Sequence, residues 1–331
     1  MVQFNAAPAA ATLAGGERRR SRWSLLLARY PWLITPLALL VMSAVAALLS
    51  DHFLTVRNVT NILNQAAVLA IVSVGMTVVI ISGGFDLSVG SVVSLAGCVG
   101  AAVMVRGSIA GGVLAGLGIG LLVGVMNGVV VSLLNVSPFI ATLGAMVLVR
   151  GAALLFTGGV PIVNLPETFT VVGTEGVFGI PIPVLITALI FAVFWVLLQF
   201  TPLGLKIYAV GGNREASRLS GVAVNRVTIA AYGICGALAG AAGLVLTARL
   251  RSGQPTAGEF YELTSIAAVV LGGASLTGGE GKVQRTVLGV LIIQVLSNSL
   301  NLLNVHSYWQ RVLVGGIIIV AAAVDRFRRT A

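Results

Sequence analysis

The chain has 331 residues, 57% of them hydrophobic and only 9% charged. A soluble domain carries roughly 25% charged residues. So few cannot cover a globular surface, and the composition indicates an integral membrane protein. The net charge of +10 does not argue for nucleic-acid binding, because Lys and Arg collect in the cytoplasmic loops of membrane proteins.

Taken in chain order, residues 1–30 read as a basic cytoplasmic tail, Ala-rich over 1–16 and largely disordered. Arginines, an apolar run and the small residues Ala44-Val45-Ala46 resemble a signal peptide. The run from Trp32 to Leu49 is longer than a usual signal core, so it reads as the first span. A span needs about 20 apolar residues, and the charge-free windows supply ten candidates. The first lies between Arg29 and Asp51, the second over Gln65–Ser82, and the third between Asp86 and Arg106. A break at Asn135-Val136-Ser137-Pro138 divides the next window into Ile109–Leu134 and Phe139–Phe156. The rest are Val184–Phe200, Val227–Leu246, Leu263–Leu276, Val287–Leu303 and Tyr308–Val324. The eighth and tenth are short enough to be tilted, thin or re-entrant. The fold class expected is an all-α polytopic bundle, with a membrane domain over 31–325 and a basic cytoplasmic end at 326–331.

Ten spans put both termini on one face. With that face cytoplasmic, fourteen basic residues lie inside and five outside (Arg57, Arg106, Arg249, Arg251, Arg311), leaving Arg150 within a span. That asymmetry favours both ends inside. The segment Thr157–Pro183 then lies outside, rich in Gly and Pro and carrying Glu167 and Glu175 without a base. It is a covering loop or a docking surface. Gly83-Gly84-Phe85-Asp86-Leu87-Ser88 is echoed weakly by Gly272-Gly273-Ala274-Ser275-Leu276-Thr277, as parallel internal repeats would produce.

The most informative stretch is a polar island, residues 211–221, within the inner segment 201–226. Asn213 can cap a short helix. Glu215 in its first turn and Arg218 near its end suit the helix dipole and are i,i+3 neighbours. Gly221 supplies the stop. Such an element is a solvated loop or a contact for a partner.

Here the residues carry a resemblance. Gly211-Gly212-Asn213…Ala216…Arg218-Leu219-Ser220-Gly221 resembles the coupling-helix motif of permease subunits of bacterial monosaccharide ABC importers. The likeness extends to Val79-Ile80…Gly83…Asp86-Leu87-Ser88-Val89-Gly90-Ser91. It continues through Ala248-Arg249-Leu250…Gln254-Pro255-Thr256-Ala257-Gly258…Tyr261-Glu262-Leu263. It ends with Ile266 to Gly273 and Asn301-Leu302-Leu303, and it is strongest toward ribose permeases. It covers nearly all of 50–325. Phe85, where an aliphatic residue is expected, departs from the pattern. The resemblance implies a bacterial inner-membrane subunit that pairs with a second permease copy or a related permease. It also implies a sugar-type ATPase subunit below, a periplasmic sugar-binding protein above and surrounding lipid. Its coupling residues would be Gly211, Gly212, Asn213, Glu215, Ala216, Arg218, Leu219, Ser220 and Gly221. The chain itself has no GxxxxGK[ST] phosphate loop, so ATP hydrolysis would need a separate subunit, and no cofactor is implied.

Further candidates follow from polarity in apolar surroundings. Asp86, with Ser88, reads as a cap for the third span or as a gating group. Arg150 either snorkels outward or lines a path. A neutral polyol needs hydrogen-bonding side chains, and Asn127, Thr142, Asn298 and Asn301 are such groups, with Asn135, Gln294 and Asn304 beside them. Each could equally hold helices together. Arg249, Arg251, Glu259 and Glu262 are candidates for docking a binding protein. The two cysteines, Cys98 and Cys235, lie in apolar runs and read as core residues. No metal set is indicated. An ion-coupled carrier would need an intramembrane ionisable pair, and Arg150 and Asp86 read as lying at opposite depths. An embedded enzyme would need clustered acids and histidines, but His52 and His306 are far apart. An amino-acid permease of a related ABC group is the remaining alternative.

Overall fold

A computed structural model describes residues 33–330; the expected disordered tail at 1–30 lies outside them. Among the described residues there are thirteen α-helices and one short hairpin. In order they are α1 (Ile34–Leu49), α2 (Val56–Ile81), α3 (Val89–Val105), α4 (Ile109–Ser132), α5 (Pro138–Thr157) and α6 (Glu167–Thr174). After the hairpin β1 (Gly176–Val177) and β2 (Ile180–Pro181) come α7 (Ile182–Phe200), α8 (Pro202–Gly212), α9 (Arg214–Leu219) and α10 (Val224–Leu250). The last are α11 (Tyr261–Leu271), α12 (Val283–Leu302) and α13 (Ser307–Thr330).

A helix stands at each of the ten expected positions. Six of them (α2, α4, α5, α7, α10 and α12) are long and apolar enough to cross a membrane. Helices α1, α3 and α11 are apolar but shorter. Helix α2 begins at Val56, well before the expected start at Gln65. Its polar first turns are held inside the bundle: Thr55 caps the helix, and the buried Asn58 amide exchanges hydrogen bonds with Asn298 at 3.0 and 2.7 Å. The charge at Arg57 had hidden that turn from a search for charge-free windows. Helix α13 continues past the expected end of its span, through residues 326–330.

The centre is built from α2, α3, α4 and α10. Helix α10 packs against α4 most extensively, then against α2 and α3. Glycine makes that approach possible. Gly116, Gly120, Gly124 and Gly128 recur every fourth residue on α4 and face α10. A Cβ on Gly236 of α10 would lie 2.8 Å from the Gly124 Cα, and one on Gly120 would lie 3.0 Å from the Gly240 Cα. Backbones this close gain dispersion contacts that larger side chains forbid, which drives helix association where lipid offers no hydrophobic effect.

Helix α11 is the irregular element. Its eleven residues span about 16 Å, short of the roughly 30 Å hydrocarbon core. The chain before it is not helical. From Arg251, residues 252–260 run along α3: Gly253 packs on Cys98 and Ala101, and Gly258 on Gly90 and Ser94. Non-helical backbone buried at such depth is tolerated only when its polar groups are satisfied by protein. Here Gly253 exchanges hydrogen bonds with Ile162 at 2.8 Å, and the Gly258 N–H donates to Ser94 Oγ at 2.9 Å. Val93 packs on Gly243 of α10, two turns from that helix's end at Leu250. By helix rise, Gly90 and the start of α11 therefore lie about 15 Å below that end.

The segment after α5 folds back over the same end of the bundle. Helix α6 lies on the last turn of α10, with Gly173 against Ala248 and Arg249. The hairpin tip leaves Phe178 fully exposed at φ 52°.

Candidate functional site

Two polar constructions sit near the opposite end, which carries α9. The first is α9 itself. Asn213 Oδ1 accepts the Ala216 N–H at 2.9 Å, the cap that the spacing predicts. Gly221, at φ 81°, ends the helix: its N–H donates to the Arg218 carbonyl, and Val222 N–H to Ser217. Arg218 grips Glu215 through two bonds, Nε–Oε2 at 3.1 Å and Nη2–Oε1 at 2.7 Å. This pair holds the Glu215 carboxyl below its usual range. Both side chains are exposed, as are Asn213, Arg214, Ala216, Leu219 and Ser220; only Ser217 is turned inward. Leu219, 77% exposed, is an apolar residue left in the open on a polar helix.

Gly211 and Gly212 do not belong to that exposed helix. They close α8, and Gly211 is a wedge. A Cβ there would strike the Ile81 carbonyl at the end of α2 and stand 2.6 Å from the Gly279 nitrogen. Gly279 donates its own N–H to Ile81 at 2.9 Å, and a Cβ on Gly278 would meet the Gly83 Cα at 2.7 Å. Tyr208 Oη donates to the Gly281 carbonyl at 2.7 Å. The end of α2, the end of α8 and the loop 272–282 thus meet backbone to backbone directly behind α9.

The second construction is a sealed knot at Asp86. Asp86 is 1% exposed. Its Oδ1 accepts the Ser88 N–H at 2.9 Å and the Ser88 hydroxyl at 2.6 Å. Asn127 of α4 donates through Nδ2 to Ser88 Oγ at 2.9 Å and lies 3.3 and 3.4 Å from the two carboxylate oxygens. Tyr232 of α10 donates its hydroxyl to the Phe85 carbonyl at 2.9 Å. Asp86 therefore does not cap α3 in the usual way. It binds the N-cap residue Ser88, whose side chain makes no capping bond. The knot ties the α2–α3 break to α4 and α10.

The second break repeats part of this. Gly83 and Gly273, at φ 86° and 81°, end α2 and α11 with the same pair of backbone bonds, to Ile80 and to Val270. That register is one residue off the one read from the sequence. The side-chain contacts keep the original register, because Ser275 Oγ accepts from Thr277 N–H as Asp86 does from Ser88.

The other expected sites are dispersed. Asn298 is buried, and both ends of its amide are taken by Asn58. Thr142 is buried and donates to Pro138 of its own helix. Asn127 is closed into the knot. None of these three lines an open path, because each is spent on protein partners. Asn301 is exposed and accepts from Gln310 Nε2 at 2.6 Å.

The docking set is also split. Arg249 is half-buried and donates to the Asn64 carbonyl at 3.1 Å. Arg251 and Glu259 are exposed. Glu262 is only 6% exposed, packed against Gly90, and its Oε2 has no hydrogen-bond partner. It is not a surface residue. Half-buried Arg150 lies near enough for its charge to act on Glu262, although the only ion pair among the described residues is Arg218–Glu215. Asn58, Tyr208 and Tyr232 were missed in the sequence. A polar tip inside an apolar run was the available signal for Tyr232; nothing local marked the other two. No cluster of His, Cys, Asp or Glu among the described residues could hold a metal ion.

Known proteins place this architecture. Residues 58–322 match the family described as branched-chain amino acid transport system / permease component. The ribose import permease protein of Escherichia coli (strain K12) is 45% identical over 296 residues, covering 87% of this chain and 92% of that protein. The ribose import permease protein of Bacillus subtilis (strain 168) is 44% identical, covering 88% and 91%. The L-arabinose transport system permease protein of Escherichia coli (strain K12) is 38% identical, covering 88% and 89%. No solved structure matches. With most of its length matched by the family and by full-length relatives, the chain belongs to the transport-system permease component family.

Proposed function

We propose that the chain is the membrane-spanning subunit of an ATP-driven, binding-protein-dependent importer of a monosaccharide in a bacterial inner membrane. The observation that carries this reading is the set of near-full-length relatives at 35–45% identity, whose names specify ribose, D-allose and L-arabinose. Ribose heads the substrates to test. In this reading ten spans leave both ends cytoplasmic, and two copies enclose the path. A separate subunit hydrolyses ATP, since the chain lacks a phosphate loop. A binding protein delivers sugar to the opposite face, where Arg251 and the segment 157–183 are available.

Helix α9 is suited to the motor contact. It is rigidly capped at both ends and projects Arg214, Glu215, Arg218 and Leu219. The glycine junction behind it supplies the mechanical link. A push on α9 reaches Gly211, and through it the end of α2 and the loop 272–282 with no flexible side chain between. The Asp86 knot then carries the α2–α3 break along with α4 and α10.

The test is uptake of D-ribose, D-allose and L-arabinose by proteoliposomes holding the chain, its ATPase and its binding protein. ATP-dependent uptake of at least one is expected. Amino-acid import is the second reading, favoured by the family description alone. Uptake of L-leucine without uptake of any sugar would establish it.

A further inference from the structure

A cavity of about 360 Å³ opens between α11, α12 and α13, and no site described above uses it. Its wall carries Glu259 and Phe260 at the start of α11, Gln294 and Ser297 on α12, and Gln310 and Arg311 on α13. Three features mark it off from a packing gap.

The first is depth. Phe260 directly follows the stretch packed along α3, about 15 Å below the end of α10 by helix rise. By helix rise, Gln294 lies about 12 Å and Ser297 about 8 Å from the end of α12 at Leu302. A charged pair and two amides at this level are costly against hydrocarbon, so this wall faces water or a polar ligand.

The second is unspent hydrogen-bonding capacity. The side chains of Glu259, Gln294, Ser297 and Arg311 make no hydrogen bond or ion pair within the described protein. This is the reverse of the Asp86 knot, where the carboxylate, the serine and the asparagine N–H groups close on one another. Arg311 is nonetheless held in place: its guanidinium lies 4.6 Å from the centre of the Phe260 ring and 5.9 Å from that of Tyr308. Stacking fixes the plane of the fork and leaves its N–H donors free.

The third is balance. One acid offsets one base, and Gln294 and Ser297 each both donate and accept. Leu263, Ile293 and Val314 add an apolar side. A hydroxyl also both donates and accepts, and the ring of a sugar has apolar C–H faces. The volume is at the small end of the ligand-pocket range, about 300–1,000 Å³.

We infer that this cavity is a way-station for a neutral polyol, and that Arg311, Glu259, Gln294 and Ser297 hold the hydroxyls of a monosaccharide in transit. The inference rests on the importer reading above and names the substrate-handling residues within it. The expected path residues Asn127, Thr142 and Asn298 are replaced by this set, of which Gln294 was legible in the sequence.

The test has two arms in the full complex with ATPase and binding protein. In the first, Ser297→Cys is exposed to a membrane-impermeant methanethiosulfonate reagent, with wild type as control, since buried Cys98 and Cys235 should stay unmodified. Labelling at Ser297→Cys is expected, slowed at least fivefold by saturating D-ribose, D-allose or L-arabinose and unchanged by L-leucine. No labelling, or protection by leucine rather than by a sugar, overturns the assignment. In the second arm, Arg311→Gln and Gln294→Leu should cut sugar uptake at least tenfold. Assembly and ATPase stimulation by the loaded binding protein should stay within twofold, and Arg311→Lys should recover part of the uptake. Uptake within twofold of wild type in both variants, or loss of assembly together with uptake, overturns it. A wild-type complex that imports no sugar, with Ser297→Cys still labelled, would instead defeat the importer reading and leave an aqueous cavity of another use.

Discussion

The Asp86 knot and the Phe260–Arg311 cavity are both polar constructions inside an apolar bundle, and they are built in opposite ways. In the knot each donor has an acceptor within the protein: carboxylate, serine and asparagine close on one another. In the cavity Glu259, Gln294, Ser297 and Arg311 are left unspent. A satisfied network rigidifies whatever it joins, whereas an open one is available to a ligand. Deleting groups from the knot should therefore lower stability, and deleting groups from the cavity should lower transport and leave stability alone.

The largest expected effect concerns the glycine seam between α4 and α10, two of the helices that the knot joins. Gly236→Leu would force α10 away from α4 by more than side chains can absorb. It should cost more than about 3 kcal/mol, beyond the usual overpacking range, and abolish monodisperse protein in size-exclusion chromatography. Next comes the knot. Asp86→Ala leaves the Ser88 N–H and the Ser88 hydroxyl without their acceptor and the Asn127 amide with Ser88 Oγ alone, each orphan costing about 1–3 kcal/mol and not additively. A clear fall in melting temperature is expected, and Asp86→Asn, which keeps an acceptor, should fall less. Arg311→Gln should leave the melting temperature unchanged. If it destabilised as much as Asp86→Ala, the contrast between the two regions would fail.

How much of this was legible in the sequence depended on whether the signal was local. Helix α9 was readable residue by residue because a cap, a dipole-matched ion pair and a stop glycine all lie within nine positions. The ten helix positions were readable because apolar length is a local property. Partners were not. Asn298 looked like a path residue until Asn58, 240 positions away, took both ends of its amide. Glu262 looked like a surface acid because Arg249 and Arg251 precede it, yet the chain between them dives along α3. Gly211 and Gly212 read as part of the exposed island. Only the fold shows that Gly211 is a wedge against Ile81 and Gly279. Phe260 and Arg311 meet because α11 starts deep in the bundle, a consequence of its short length that no motif announces.

Two smaller effects sharpen the link between α9 and the knot. Tyr208→Phe removes the hydroxyl held by the Gly281 carbonyl and should cost about 1 kcal/mol, seen as a small drop in melting temperature. The smallest effect is on α9. Arg218 holds the folded-state carboxyl of Glu215 below its ordinary range. A depressed folded value means that any stabilisation is present above the unfolded pKa and is lost as pH falls through the folded one. Amide exchange of residues 214–219 should therefore be unaffected by the state of this pair at neutral pH. It should rise only below the ordinary carboxylate range, with little change in global melting because both groups are exposed.

The account turns on α9 as the point where a separate motor drives this chain. The most direct measurement is ATPase stimulation by the sugar-loaded binding protein in a complex carrying Glu215→Ala and Arg218→Ala with Leu219→Asp, alongside melting of the isolated permease. The account predicts loss of stimulated hydrolysis, uptake and co-purification with the ATPase at an unchanged melting temperature. Normal stimulation and normal uptake in that triple variant would contradict it and reduce α9 to a solvated loop.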